Sequence, residues 1–175
     1  SLYSGDYRSY ERTFSLLTQV VGRSGRGGLR GRAVIQTMNP QHPVLELAAR
    51  QDYEGFFAQE IALRKVGLYP PYCRMWAVGF TGADEAETAQ AAEDFCARFS
   101  RMAGEEYPRL PLRILGPAPS AVYKIAGKYR YKLIVKCKNS PQMRELMRRL
   151  LEEFYQDRRR REVGIQVDTS FDGML

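Results

Sequence analysis

Two adjacent prolines, Pro70 and Pro71, divide this chain of 175 residues. Neither offers a backbone N–H, and a proline ring crowds the preceding helical turn, so no helix runs through them. Gly67, three residues earlier, suits the position just past a helix C-terminus. The two sides of the break carry different patterns. Before it, apolar residues recur at helical steps around a glycine-rich segment. After it, strand-type and helix-type stretches alternate. The break therefore predicts two domains, residues 1–70 and 71–175.

In the first part, residues 6–21 read as a helix with Phe14, Leu17 and Val21 on one face. Residues 22–31, rich in Gly and Arg, form a loop or turn. Residues 33–37 read as a short strand that Asn39-Pro40 ends. Pro43 suits the first turn of a second helix. Asp52 is an N-cap for a third, with Phe56, Phe57, Ile61 and Leu63 as its apolar face. In the second part, residues 75–81 read as a strand. Asp84, with Glu87 three residues on, opens a helix whose face is Ala89, Ala92, Phe95, Phe99 and Met102. Residues 112–115 start a second strand, interrupted by Gly116-Pro117 and Pro119. A third strand covers 131–138. Ser140-Pro141 opens a helix with Met143, Leu146, Met147, Leu150, Leu151 and Phe154 in its stripe, and 163–167 is a last strand. The order β-α-β-β-α-β is that of a ferredoxin-like split βαβ unit. The predicted fold class is thus mixed, α/β and α+β.

Composition narrows the function. Hydrophobic residues make up 44% of the chain, enough for a packed core. Lys and Arg total 27 against 20 Asp and Glu, a formal charge of +7, which favours a polyanionic partner. A structural zinc site needs about four ligands. Cys73, Cys96 and Cys137 are far apart and His42 is the only histidine, so no metal site is expected. Three scattered cysteines suit reduced thiols in a cytoplasmic protein. No apolar run approaches the ~18 residues of a membrane span. The first residues have neither the basic nor the apolar region of a signal peptide, and there is no initiator Met. One histidine supports no Ser/His/Asp constellation. His42 reads as structural and Trp76 as core.

The stretch that carries chemistry is Gln19-Val20-Val21-Gly22-Arg23-Ser24-Gly25-Arg26-Gly27. Glycines allow close backbone approach and positive φ. Arginine forks match phosphate oxygens, and Gln19 both donates and accepts. A helix, a Gly/Arg turn and a following strand make a phosphate sensor.

This stretch resembles motif VI of the superfamily 2 helicases, Q-x-x-G-R-x-G-R, at Gln19, Gly22, Arg23, Gly25 and Arg26. The resemblance implies the tail of a second RecA-like lobe that faces ATP held by the first lobe. It implies that Arg26 is an arginine finger, Arg23 a second γ-phosphate contact, and Gln19 a link between nucleotide state and lobe closure. A longer series extends the likeness. It runs from Glu11-Arg12-Thr13-Phe14 through Asn39-Pro40, His42-Pro43, Asp52-Tyr53-Glu54 and Tyr69-Pro70-Pro71. Gly116-Pro117-Ala118-Pro119, Tyr129-Arg130-Tyr131 and Val167-Asp168 follow. The series resembles the PriA (primosomal protein N′) family of replication-restart helicases.

That resemblance implies an ATP-dependent 3′→5′ DNA helicase that binds forked DNA and restarts stalled replication by primosome assembly. It also implies ATP and Mg²⁺ as cofactors, and a zinc-binding cysteine cluster that this sequence lacks. Its partners would be DNA, primosome and restart proteins, and single-stranded-DNA-binding protein. The chain contains no G-x-x-x-x-G-K-[ST] phosphate cradle and no acidic Mg²⁺ box. ATP hydrolysis needs cradle, metal and finger together, so the chain alone is expected to be inactive as an ATPase.

Between Ser120 and Leu150 stand nine basic residues and one acid, Glu145. In the third strand Arg130, Lys132, Lys136 and Lys138 share parity and emerge on one sheet face, with Leu133 and Val135 on the other. DNA contacts are expected at Lys124, Lys128, Tyr129, Arg130, Tyr131 and Lys132. Stacking of a base on Tyr129 or Tyr131 fits less well, because parity puts both on the apolar face. The competing reading is a non-enzymatic nucleic-acid-binding module with a ferredoxin-like domain.

Overall fold

Helix α1 (Ser9–Arg23) carries Phe14 toward α2 (Pro43–Ala49) and α3 (Tyr53–Gly67). Phe14 stacks on Phe56 with ring centroids 4.2 Å apart. Val44 and Ala48 complete this small buried cluster. The sequence sets the helix starts. His42 caps α2, its Nδ1 accepting from the Val44 N–H, and meets the Tyr10 ring edge-on. Asp52 accepts from the Gly55 N–H at 2.8 Å ahead of α3. The computed structural model describes residue 2 and residues 6–23, 32–157 and 160–169. It divides the chain into two units, Ser1–Gly67 and Leu68–Leu175.

Two expectations for the first unit are corrected. Residues 33–37 form no strand. A strand needs a hydrogen-bonded neighbour, and among the described residues the first unit offers none; Val34 is 82% exposed. Gly67 is still helical, and the left-handed residue that ends α3 is Leu68, with φ of 50°.

The second unit is built on a four-stranded antiparallel sheet in the order β2-β3-β1-β4. Its elements are β1 (Arg74–Gly82), α4 (Glu85–Glu106), β2 (Leu112–Ile125), β3 (Lys128–Cys137), α5 (Pro141–Gln156) and β4 (Gly164–Asp168). Asp84 and Ser140 cap α4 and α5 by accepting from the Glu87 and Met143 N–H groups. Both helices cover one sheet face. Trp76, Val78 and Phe80 of β1, with Leu133 and Val135 of β3, meet Phe95, Phe99, Leu146 and Leu150 there. Phe80 and Phe95 pack edge to face at 5.5 Å. Trp76 is a core residue, 4% exposed.

The second strand runs far past 115. Proline cannot donate to a ladder, and Gly116-Pro117 and Pro119 accordingly produce register shifts rather than an end. Gly116 has φ of 98°, and a Cβ there would stand 3.0 Å from the Lys132 carbonyl oxygen. Only glycine satisfies both conditions. β2 and β3 then join through the two-residue turn Ala126-Gly127.

Candidate functional site

The face of the sheet opposite the helices has a distinct composition. By register it presents Met75, Ala77, Gly79 and Thr81 from β1, and Arg130, Lys132, Ile134 and Lys136 from β3. Arg113 and Leu115 come from β2, opposite Lys136 and Ile134. Gln166 and Asp168 come from β4. Small side chains on β1 leave a cleft of about 40 Å³ between Ser120 and Arg130 on one side and Gln166 and Asp168 on the other.

Charge is distributed unevenly around this domain. On the helical side four arginines are paired with acids, while Arg144 bonds the Asn139 side-chain oxygen at 2.9 Å. Arg148 is paired with both Glu145 and Glu152, and Arg149 with Glu106. Arg98 bonds Asp157 at 3.2 Å, and Arg160 bonds Asp94. These pairings raise the pKa values of Arg148 and Arg149 and lower those of Glu145 and Glu106, the bonded partner being the largest cause in each case. On the open face and hairpin, Arg113, Lys124, Lys128, Arg130 and Lys132 have no carboxylate partner among the described residues. Two of them have neutral partners. Arg130 reaches the Val122 carbonyl at 3.5 Å. Lys124 donates to the Tyr129 hydroxyl at 2.9 Å and lies over its ring at 4.1 Å.

Lys136, of the same parity, has a different role. It is 6% exposed, with its ammonium over the Tyr69 ring. Burial lowers its pKa, and Arg113 adds to the effect. It is therefore a buried strut and not part of the accessible stripe. Lys138 lies beyond the end of β3 and is exposed.

Tyr129 and Tyr131 lie on the helix-side face, opposite Gly82 and Phe80. Tyr123 meets both edge-on, at 5.5 and 6.2 Å. A hydrogen bond to Glu85 at the start of α4 holds the Tyr123 hydroxyl above its ordinary pKa. The tyrosines brace the hairpin against α4, on the face away from Arg130 and Lys132. Sequence reasoning missed Arg113. The alternation Leu112 in, Arg113 out, Ile114 in carried the signal.

In the first unit, Gln19, Gly22 and Arg23 are exposed on the last turn and a half of α1. Gln19 also lines a groove of about 410 Å³ between α1 and α3, with Phe14, Phe57 and Arg64. Arg23 has no ion pair among the described residues. Gly25 and Arg26 lie outside the described residues. Among the described residues no three His, Cys, Asp or Glu side chains gather as a metal site, and no helix is long and apolar enough to cross a membrane.

Topology and charge define the class: an α+β protein whose larger unit is a ferredoxin-like βαββαβ domain with an open, cationic sheet face. Residues 65–170 match the family described as Primosomal protein N C-terminal domain, and the chain belongs to that family. It is 34% identical over 168 residues to a replication restart protein PriA of Bacillus subtilis (strain 168), covering 96% of this chain and 20% of that protein. It is 42% identical over 134 residues to a replication restart protein PriA of Synechocystis sp., covering 75% of this chain and 15% of that protein. The chain thus spans about a fifth or less of the length of these relatives. It is also similar to a de novo designed protein with ferredoxin fold, at a TM-score of 0.41 and 14% identity, covering 57% of this chain and 85% of that one.

Proposed function

We propose that the open sheet face and the β2–β3 hairpin bind the phosphate backbone of DNA, as the DNA-contacting part of a replication-restart protein. One observation carries this reading: Arg98, Arg148, Arg149 and Arg160 on the helical side are each paired with an acid, whereas Arg113, Lys124, Lys128, Arg130 and Lys132 meet none among the described residues. Uncompensated cations repel one another, and a polyanion relieves that repulsion while releasing its own counterions. The absence of aromatic side chains among the strand residues of the open face argues for backbone contact there rather than base stacking. The test is the salt dependence of DNA binding by the chain. Lys128→Ala with Arg130→Ala weakens binding and flattens the log–log slope by roughly 0.9 for each duplex phosphate that is no longer neutralised. Arg148→Ala with Arg149→Ala leaves the slope alone. An unchanged slope in the first pair removes the face from the interface.

We further propose that the end of α1 contacts the terminal phosphate of ATP bound by another part of a longer protein. The exposed Arg23, which has no ion pair among the described residues, and the exposed Gln19 one turn earlier support this. The guanidinium would take a phosphate oxygen and the amide would hydrogen-bond beside it. Bound ATP with Mg²⁺ would supply the phosphoryl group whose transfer to water drives the protein. Arg26 would act as the arginine finger, and residues 1–67 would belong to a second RecA-like lobe. The whole protein is then a cytoplasmic ATP-dependent 3′→5′ DNA helicase that engages forked DNA. Its partners are primosome proteins and single-stranded-DNA-binding protein. Arg26→Ala in the full-length protein should cut turnover by about 10³-fold or more while ATP still binds. The chain by itself should show no turnover, with or without DNA.

A further inference from the structure

We infer that the tip of the β2–β3 hairpin is a wedge that seats on the exposed face of a terminal base pair, where a DNA duplex stops at an end or a junction. The inference rests on the DNA-binding reading and adds the structure that the hairpin selects. Three features of the tip carry it. The first is projection: the last β1–β3 pair is Gly82–Tyr129, so Ile125, the turn and Lys128 extend past the end of β1. The second is an apolar end. Ile125, 50% exposed, stands in the projecting part, and Val122, 52% exposed, stands three residues behind it on the same strand. They stand among Lys124, Lys128 and Arg130, which have no acidic partner among the described residues.

The third is rigidity. Ala126 and Gly127 both have positive φ, 49° and 79°, the arrangement of a tight type I′ turn. Behind the turn, Lys124 is bonded to Tyr129, Tyr123 is wedged against Tyr129 and Tyr131, and Arg130 reaches the Val122 carbonyl. A tip held in one shape loses little freedom when it docks.

The size of the apolar surface decides the substrate. Prying apart an intact base step costs the stacking of that step. Two half-exposed aliphatic side chains bury too little area to offset it. They gain that burial in full where a base face already lies open, while the flanking cations reach the phosphates of the last steps. The wedge therefore discriminates by position along the DNA and not by sequence.

The test uses the chain with DNA carrying 2-aminopurine in the terminal pair of a fork, and with a duplex closed at both ends by loops and labelled in its middle. Wild type should perturb the fluorescence at the junction only, and prefer the fork by roughly tenfold. Val122→Ser with Ile125→Ser should bring that preference to about onefold with the salt slope unchanged. Ile125→Thr, which keeps β-branching and strand propensity, should lower it partway. Retained preference in the double variant would overturn the wedge, as would equal perturbation of the interior label. Failure of the DNA reading has another signature: Lys128→Ala with Arg130→Ala would leave binding to both DNAs and its salt slope unchanged, and the wedge would fall with it. If the tip variants abolish binding to phosphatidylglycerol vesicles while fork preference stays intact, the tip serves a lipid surface and the inference is wrong.

Discussion

The Lys136 ammonium lies 3.5 Å from the centroid of the Tyr69 ring, fixing the segment just before Pro70 to the open face of the sheet. The pair explains how a cation sits 6% exposed in the middle of a strand. A desolvated cation over an aromatic face gains up to about 2 kcal/mol. Tyr69→Ala should therefore destabilise the second unit by about 1–2 kcal/mol in urea unfolding, and Tyr69→Phe should retain most of the stability. The pH dependence follows from the lowered pKa of Lys136, caused first by burial. The unfolded chain holds this proton more tightly than the folded one, so stability rises as the pH climbs toward the ordinary lysine value of 10.5. Wild type should gain relative to Lys136→Met over that range.

In the first unit Glu11 accepts from Arg64 at 2.7 Å, joining α1 to α3, and Arg64 also bonds Glu60 at 2.9 Å. Burial pushes the Glu11 pKa up, but the hydrogen bond from Arg64 and the charges of Arg8 and Arg64 outweigh it and leave a net lowering. A depressed carboxylate stabilises the fold above its unfolded pKa, and that contribution is lost as the pH falls. The Glu11 side chain is 39% exposed, so solvent screens the pair and its removal costs about 0.5–1 kcal/mol. Glu11→Gln should lower the unfolding midpoint at neutral pH. The gap to wild type should close as the pH falls below 4.5.

Much of this architecture was legible because local chemistry and burial agree. Asp52, Asp84 and Ser140 have side-chain oxygens that accept the orphan N–H groups of a helix start, and each does so. The stripe Met143, Leu146, Met147, Leu150 and Phe154 is buried along α5. Alternation in β3 foretold that Arg130 and Lys132 oppose Leu133 and Val135. The misreadings concern properties that depend on a neighbour. Val34 and Ile35 look like strand residues, but among the described residues no strand in their unit pairs with them. Pro117 and Pro119 read as an interruption of β2, and register shifts absorb them while the strand continues to Ile125. Lys136 shares the parity of its exposed neighbours, and only the position of Tyr69 removes it from their surface. Of the Gly/Arg segment, Gln19, Gly22 and Arg23 lie on the exposed end of α1, and Gly25 and Arg26 lie outside the described residues.

The shape of the hairpin depends on Gly127. At φ of 79° a β-carbon clashes with the residue's own backbone, although no other atom lies within 4 Å of where it would be. Substitution there is thus a conformational change with no packing component. Gly127→Ala should cost about 1–2 kcal/mol, and Gly127→Asn should recover part of it, because asparagine tolerates left-handed backbone. The strain sits in a two-residue turn, so the chain relieves it by opening the pairs Ile125–Lys128 and Lys124–Tyr129. Lys124 then leaves the Tyr129 ring, and the cations around the tip lose their fixed spacing. Under conditions where Gly127→Ala is still fully folded by circular dichroism, its hydrogen exchange should be faster at 124–129 than in the core of β3. Its DNA affinity should fall while that of Gly127→Asn stays near wild type. Unchanged exchange at the tip would mean that the turn accommodates alanine, and that cross-strand pairing holds the hairpin in shape without it.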